Sequence, residues 1–168
     1  MGECMVCSWL HAHDGQMPAE LIERRRADWT PEVSAGAWRR LVGESARTSG
    51  HPASVLVAVE GGGRVIGSGM ATLGRGAATV DALYVAPDVQ GQGVGSALLG
   101  ELASVAFRDG AVAVEVVVLA ANASARTFYE RSGGEVCDTG EFDEEGTLLP
   151  TVTYRWPIGR LVDTGVDP

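Results

Sequence analysis

The chain has 168 residues, 45% of them hydrophobic, and carries a formal net charge of −9 at pH 7. This length predicts a single domain with its own core. The negative charge argues against nucleic acid as a partner, because binding a phosphate backbone requires a basic face. It is compatible with a cationic ligand such as an amine. No apolar stretch approaches the roughly 20 residues of a membrane-spanning helix, so no membrane partner is expected.

The N-terminal segment and the cysteines predict a cytoplasmic protein. The start, Met1-Gly2-Glu3-Cys4, lacks the basic residues and the small-residue cleavage site of a signal peptide. Three cysteines, Cys4, Cys7 and Cys137, cannot all pair, which suits a reducing compartment. The spacing of the first two to the nearby histidines is not that of a known metal site, so no metal is predicted.

The first part of the chain is predicted to be helical. Met17-Pro18-Ala19-Glu20 and Thr30-Pro31-Glu32-Val33 each place a proline at a helix start. The charged run Glu23-Arg24-Arg25-Arg26 is predicted to be a solvated helix face.

From Ser54 the apolar pattern changes to that of strands. The runs Ser54–Val59 and Val65–Ala71 flank a turn at Gly61-Gly62-Gly63, and a third strand is predicted over Thr79–Val85. These three strands are expected to form an antiparallel meander.

The second half predicts a parallel crossover and a final hairpin. A helix beginning at Ser96 precedes the apolar strand Ala111–Leu119, and together with the preceding strand they form a βαβ unit. A short helix follows from Asn122, and a hairpin is predicted around Glu141–Gly146, with the last strand at Thr151–Trp156. The predicted class is α/β, a mixed and mostly antiparallel twisted sheet with helices on both faces.

A glycine-rich segment, Gln90-Gly91-Gln92-Gly93-Val94-Gly95, lies between a predicted strand and a predicted helix. Glycines at alternate positions leave backbone N–H groups unshielded where a helix N-terminus adds further unpaired donors, which favours phosphate binding. A P-loop would need a lysine, and the chain contains none. A dinucleotide fold would need a third glycine where Ser96 stands.

The longer string Leu83–Leu99, with Pro87 before the glycines, resembles the acyl-CoA pyrophosphate loop of the GCN5-related N-acetyltransferases, the GNAT family. Asn122–Gly133 resembles that family's Asn-x-x-Ala-x-x-Phe-Tyr-Glu-x-x-Gly motif, and the likeness extends over nearly the whole chain. It implies one GNAT-like domain over 1–168. Within it, 1–50 would be a helical acceptor-side segment, 54–132 the acyl-CoA-binding core, and 133–168 the C-terminal strands and tail.

The resemblance implies where acetyl-CoA would bind. The backbone of the strand Thr79–Val85 would pair with the pantetheine arm, and the glycine loop would donate N–H groups to the pyrophosphate. Asn122 would cap the helix that follows it and would also contact the cofactor. The implied cofactor-binding residues are Leu83, Tyr84, Val85, Gln90, Gly91, Gln92, Gly93, Val94, Gly95, Ser96 and Asn122.

Tyr129 is the predicted catalytic acid, because a phenol can donate a hydrogen bond or a proton to the departing thiolate. A base is harder to assign, since the position that often carries Glu in the family is Thr79 here. Asp81 is the first candidate and Glu115 the second, with a water chain or no dedicated base left open. Trp9 and His13 are candidates for lining the acceptor pocket, with a packing role as the favoured alternative for each.

Two departures from the family pattern have structural consequences. No opening strand precedes Ser8 at the expected distance, so Ser54–Val59 is predicted to form a sheet edge, covered by an upstream segment, a loop or another subunit. Gly134 replaces the usual aromatic residue, which predicts looser packing beneath the helix that starts at Asn122.

The resemblance implies an acetyltransferase that moves an acetyl group from acetyl-CoA to a primary amine by direct attack in a ternary complex. No cysteine lies at the expected thioester position, which disfavours a covalent acyl-enzyme. The acceptor would be a small-molecule or peptide amine, and the protein a monomer or homodimer. The alternative is a non-catalytic acyl-CoA-binding sensor or partner-docking module.

Overall fold

A computed structural model describes residues 2–45 and 53–162 of the chain. Parts of the predicted 1–50 and 133–168 segments therefore lie outside the described residues. The elements in chain order are α1 (Gly2–His13), α2 (Ala19–Asp28), α3 (Pro31–Ser45), β1 (Ala53–Val59), β2 (Val65–Leu73), β3 (Ala77–Val85), a 3₁₀ turn (Pro87–Val89), α4 (Val94–Arg108), β4 (Ala113–Leu119), α5 (Ala123–Arg131), β5 (Glu135–Glu144), β6 (Thr147–Pro157) and α6 (Ile158–Val162).

The strands form a 6-stranded sheet in the order β1-β2-β3-β4-β6-β5. Only β3 and β4 pair in parallel, and α4 is the crossover between them. This arrangement confirms the predicted α/β class. Within the described residues no strand lies outside β1, so β1 is a sheet edge, as expected. What covers that edge stays a prediction.

Helix α4 packs closely on one face of the sheet because β2 presents glycines to it. A Cβ on Gly69 would lie 2.9 Å from Leu102 Cδ1, and one on Gly67 would lie 3.0 Å from Leu98 Cδ1. On the opposite face, Ser68 Oγ donates to Met5 Sδ of α1 at 3.4 Å. Helices therefore cover both faces of β2.

The core lies between α4 and the central strands. Two leucines of α4, three of the four valines of β4 and the aromatic residues of β6 are buried together, and each large apolar side chain contributes roughly 1.5–3 kcal/mol. The largest fully buried apolar side chains are Leu99, Leu102, Val114, Tyr154 and Trp156.

The prediction of loose packing beside Gly134 was wrong. A Cβ at Gly134 would lie 2.5 Å from Trp156 Cζ2, and Trp156 has no exposed surface. Its indole Nε1 donates to Ser132 O at 2.9 Å, which fixes the ring against the end of α5. A tryptophan from the last strand thus fills the space that an aromatic residue at 134 would have occupied.

The C-terminal hairpin is longer than predicted, since β5 begins at Glu135 and α6 follows β6 directly. Among the described residues, no helix has the length and apolar character needed to cross a membrane.

Candidate active site

A cleft opens where β3 and β4 separate. The two strands pair only from Ala77 with Ala113 to Val80 with Val116, although β3 continues to Val85 and β4 to Leu119. The antiparallel pairing of β2 with β3 shifts register at the point where β3 leaves β4. Asp81 has no partner on β2 there and forms a β-bulge. The resulting cleft of about 1380 Å³ is lined by the unpaired part of β3, which includes Leu83, Tyr84 and Val85.

The glycine loop lies at one end of this cleft. Gly91 and Gly93 have φ angles of 76° and 85°, in the left-handed region that favours glycine. The turn that precedes the loop is held by Arg64, whose Nη2 donates to both carboxylate oxygens of Asp88 at 2.8 Å. This guanidinium holds the pKa of the Asp88 carboxyl below its usual value.

The N–H groups of the loop are available to a ligand. Helix α4 begins at Val94 without a side-chain cap, and the backbone N–H groups from Gly91 to Ser96 have no acceptor within the described parts of the chain. A Cβ on Gly95 would lie 3.4 Å from the Phe128 ring, so the start of α4 also packs tightly on α5. Unpaired donors at a helix N-terminus form an anion-binding surface.

Asn122 and Gln90 stabilise the cleft walls. The Asn122 side chain is buried and its Oδ1 accepts from Ala125 N at 3.0 Å, which confirms the predicted helix cap. Gln90 Nε2 donates to Val85 O at 3.1 Å, so one of the backbone groups expected to face the cofactor is already engaged. Both side chains line the cleft, and their contact with a cofactor stays a prediction.

Tyr129 combines a packed ring with an available hydroxyl. Its ring lies 5.2 Å, 5.9 Å and 5.8 Å from the rings of Phe128, Tyr154 and Trp156. The hydroxyl has no hydrogen-bond partner within residues 2–45 and 53–162, and the residue lines the cleft. Burial, with a smaller contribution from Tyr84, raises the pKa of Tyr129 above 10.0. The phenol is therefore a neutral donor at physiological pH.

The two candidate bases lie in different places. Asp81 is exposed on the cleft wall and accepts from Thr72 Oγ1 at 2.6 Å. Thr72 is the cross-strand partner of Thr79, so the two side chains lie on the same face of the sheet. The Asp81 carboxylate, which is hydrogen-bonded to Thr72, shares that face, as predicted. Glu115 lies opposite Arg155 in the sheet, forms an ion pair with it, and does not line the cleft.

Aromatic and charged side chains form the other wall of the cleft. Trp9 stacks on His13 with ring centroids 4.4 Å apart, and the Arg25 guanidinium lies 5.9 Å from the centre of the Trp9 ring. Arg25 forms an ion pair with Glu144, whose side chain is only 8% exposed. Burial lowers the pKa of His13, opposed by its hydrogen bond to the Trp9 carbonyl and by the Glu144 charge.

The Arg25–Glu144 pair was missed at the sequence level, and the prediction of a solvated arginine face was wrong for Arg25. The partners lie 119 positions apart, so no local pattern connects them. A neighbouring pair, Arg24 with Glu145 at 2.9 Å, joins α2 to the turn between β5 and β6.

The family model described as the acetyltransferase (GNAT) family matches residues 19–134. The chain belongs to the GNAT acetyltransferase family. A search of curated proteins finds no significant match.

Solved structures share the GNAT fold. Nourseothricin acetyltransferase is 27% identical with a TM-score of 0.60, over 63% of this chain and 65% of that chain, just under two thirds of its length. The PaiA N-acetyltransferase from Thermoplasma acidophilum, in complex with coenzyme A, is 20% identical with a TM-score of 0.68, over 92% and 90%. The ribosomal-protein-S18-alanine N-acetyltransferase from Escherichia coli is 21% identical with a TM-score of 0.56, over 71% and 76%. The last two comparisons support the fold alone.

Proposed function

We propose that this GNAT protein transfers an acetyl group from acetyl-CoA to a primary amine by direct attack in a ternary complex. The observation that carries the proposal is the set of unpaired N–H groups from Gly91 to Ser96 at the end of a cleft between separating strands. A diphosphate fits such a donor set, and the unpaired edge of β3 suits an extended pantetheine arm.

The loop carries no cation of its own, since Gln90 to Ser96 contains only glycine, glutamine, valine and serine. Pyrophosphate recognition would therefore depend on backbone N–H groups and on the dipole of α4. In this proposal Leu83, Tyr84 and Val85 contribute backbone groups to the arm, and Asn122 contributes its amide.

Tyr129 is the proposed donor to the leaving sulfur. The amine nitrogen forms a bond to the acyl carbon, the C–S bond breaks, and the sulfur gains negative charge. Reference pKa values make full transfer from a phenol to a thiolate uphill by roughly 1.5 units, or about 2 kcal/mol. The raised pKa of Tyr129 increases that difference. A hydrogen bond that strengthens in the transition state is the role that fits.

The part of the cleft lined by Asp81, Glu144 and Arg25, where the acceptor is proposed to bind, suits a cationic amine. Asp81 and Glu144 bring carboxylates to the cleft. Arg25 neutralises Glu144, which leaves Asp81 as the exposed carboxylate that would receive an ammonium group. The acceptor is proposed to be a small-molecule or peptide amine. The cytoplasmic location and a monomeric or homodimeric state remain predictions.

Thiol release from acetyl-CoA, measured with a panel of primary amines, tests the proposal. The panel should include diamines, amino acids, amino sugars and peptides with free N-termini. Calorimetric titration with coenzyme A provides the binding measurement. Amine-dependent thiol release supports the transferase, whereas coenzyme A binding without turnover on any amine would favour a binding module.

A further inference from the structure

The imidazole of His13 is held in one orientation at the C-terminal end of α1. Its Nδ1 lies 2.8 Å from the Trp9 backbone oxygen, and its ring stacks on the Trp9 indole. A carbonyl oxygen only accepts hydrogen bonds, so Nδ1 carries the proton in the neutral ring. This assignment leaves the lone pair on Nε2.

The Nε2 atom has no hydrogen-bond partner in the described chain, and His13 lines the cleft. Four charged groups line the same cleft, and so does a second histidine of α1. They are Glu144 from β5, Arg25 from α2, Asp81 from β3, Arg131 from α5 and, as the histidine, His11. Burial is the largest influence on the ring and lowers its pKa from 6.5, so the ring is neutral at pH 7. The Glu144 charge favours an imidazolium once one forms.

We propose that Nε2 of His13 accepts the proton that the acceptor nitrogen loses during attack on the thioester. This inference rests on the proposed function. The bound ammonium first loses one proton to solvent and becomes the neutral nucleophile. As the N–C bond forms and the C–S bond breaks, a second proton passes from nitrogen to Nε2. Solvent supplies the proton that completes the departing thiol, while Tyr129 donates a hydrogen bond to the sulfur. The imidazolium then returns its proton to solvent.

Base strength favours the imidazole over the nearby carboxylate. An imidazole is a stronger base than an aspartate carboxylate by roughly 2.6 units of reference pKa, and catalysis is most efficient when the base has a pKa near the working pH. Asp81 already accepts a hydrogen bond from Thr72 and lies exposed, which suits it to hold the substrate ammonium. The assignment therefore separates binding by Asp81 from proton removal by His13.

Steady-state kinetics of His13→Gln and His13→Asn test the proposal. Either substitution should lower kcat by about 100-fold or more, the usual contribution of a general base. The coenzyme A dissociation constant should stay within about twofold, which also reports folding. Cys7→Ser is the control, because Cys7 is exposed on the same helix and does not line the cleft.

The pH profile separates a base from a packing residue. A base with a pKa below 6.5 makes wild-type kcat fall as pH drops through that value, and this limb should disappear in His13→Gln. Added imidazole should restore part of kcat in His13→Ala, more at pH values where imidazole is neutral. Asp81→Asn should act mainly on KM.

Wild-type kcat in both His13 variants, or an unchanged acidic limb, would overturn the assignment while leaving the proposed function intact. A loss of kcat in Asp81→Asn but not in the His13 variants would also overturn the assignment and would identify Asp81 as the base. Absence of turnover by the wild-type protein with every amine would overturn both.

Discussion

The surroundings of Tyr129 are compatible with both a packing role for its ring and the proposed donor role for its hydroxyl. The ring is enclosed by other aromatic rings, which fixes its position, while the hydroxyl remains free of protein partners in the described residues. Burial that raises its pKa also keeps the hydrogen on the oxygen, so the residue remains a donor across the neutral range.

Tyr129→Phe should lower kcat by about 10- to 100-fold, because only the hydroxyl that assists the thiolate is removed. The melting temperature should change little, since the ring and its packing remain. Thiol release at saturating acetyl-CoA measures kcat, and thermal unfolding reports stability. Full turnover in the variant would contradict the assignment.

Sequence and structure contribute differently at this scale. Asn122 and Tyr129 could be located from the string Asn122–Gly133, because a helix cap and its neighbours are local features. The Arg25–Glu144 pair could not, because its partners meet only when α2 and the β5–β6 hairpin come together. The free Nε2 of His13 likewise depends on which carbonyl its Nδ1 reaches.

The junction between α5 and β5 is an element-scale feature that depends on one missing side chain. Gly134→Ala should destabilise the protein by about 2 kcal/mol, because the new Cβ would lie 2.5 Å from the Trp156 ring. Chemical denaturation measures the change in the free energy of unfolding. Gly62→Ala is the control, since a Cβ there meets nothing within 4 Å. Equal stability of the two variants would show that Trp156 can move at little cost.

The Arg25–Glu144 pair joins α2 to the C-terminal hairpin. Arg25→Met should cost about 1–3 kcal/mol, because it leaves the buried Glu144 carboxylate unpaired. The lower part of the range allows for solvent screening, since the Arg25 side chain is 38% exposed.

Replacing both partners, Arg25→Met with Glu144→Leu, should recover part of that loss. Arg160→Met provides the comparison, because its pair with Glu135 has side chains 57% and 72% exposed and contributes little. Urea unfolding of these variants would contradict the interpretation if the exposed and buried pairs gave equal losses.

The net charge of −9 acts on the whole molecule and should have opposite effects on the two proposed substrates. A cationic acceptor is attracted to the protein and the anionic coenzyme is repelled, and added salt screens both interactions. Raising ionic strength should therefore lower kcat/KM for a cationic amine and tighten coenzyme A binding. Kinetics and calorimetry across a salt series measure the two. A shift of both in the same direction would contradict the electrostatic explanation.

Most of the fold was predictable because periodicity, prolines and glycines act locally. The meander, the parallel crossover and the helix cap all follow from such patterns, and the structure confirms them. The length of β5 and the short α6 were not predicted, because β5 is exposed on both faces along most of its length. An exposed strand has no buried face to impose an alternating pattern.

The amino-acid sequence by itself determined the α/β class, the GNAT family and a glycine-rich loop suited to phosphate, because these depend on residues that are neighbours in the chain. Only the tertiary structure decided that β3 and β4 separate after Val80, that Trp156 fills the space beside Gly134, and that Arg25 of α2 meets Glu144 of β5 at the cleft. Those features depend on contacts between distant segments, whose energies arise only when the elements pack.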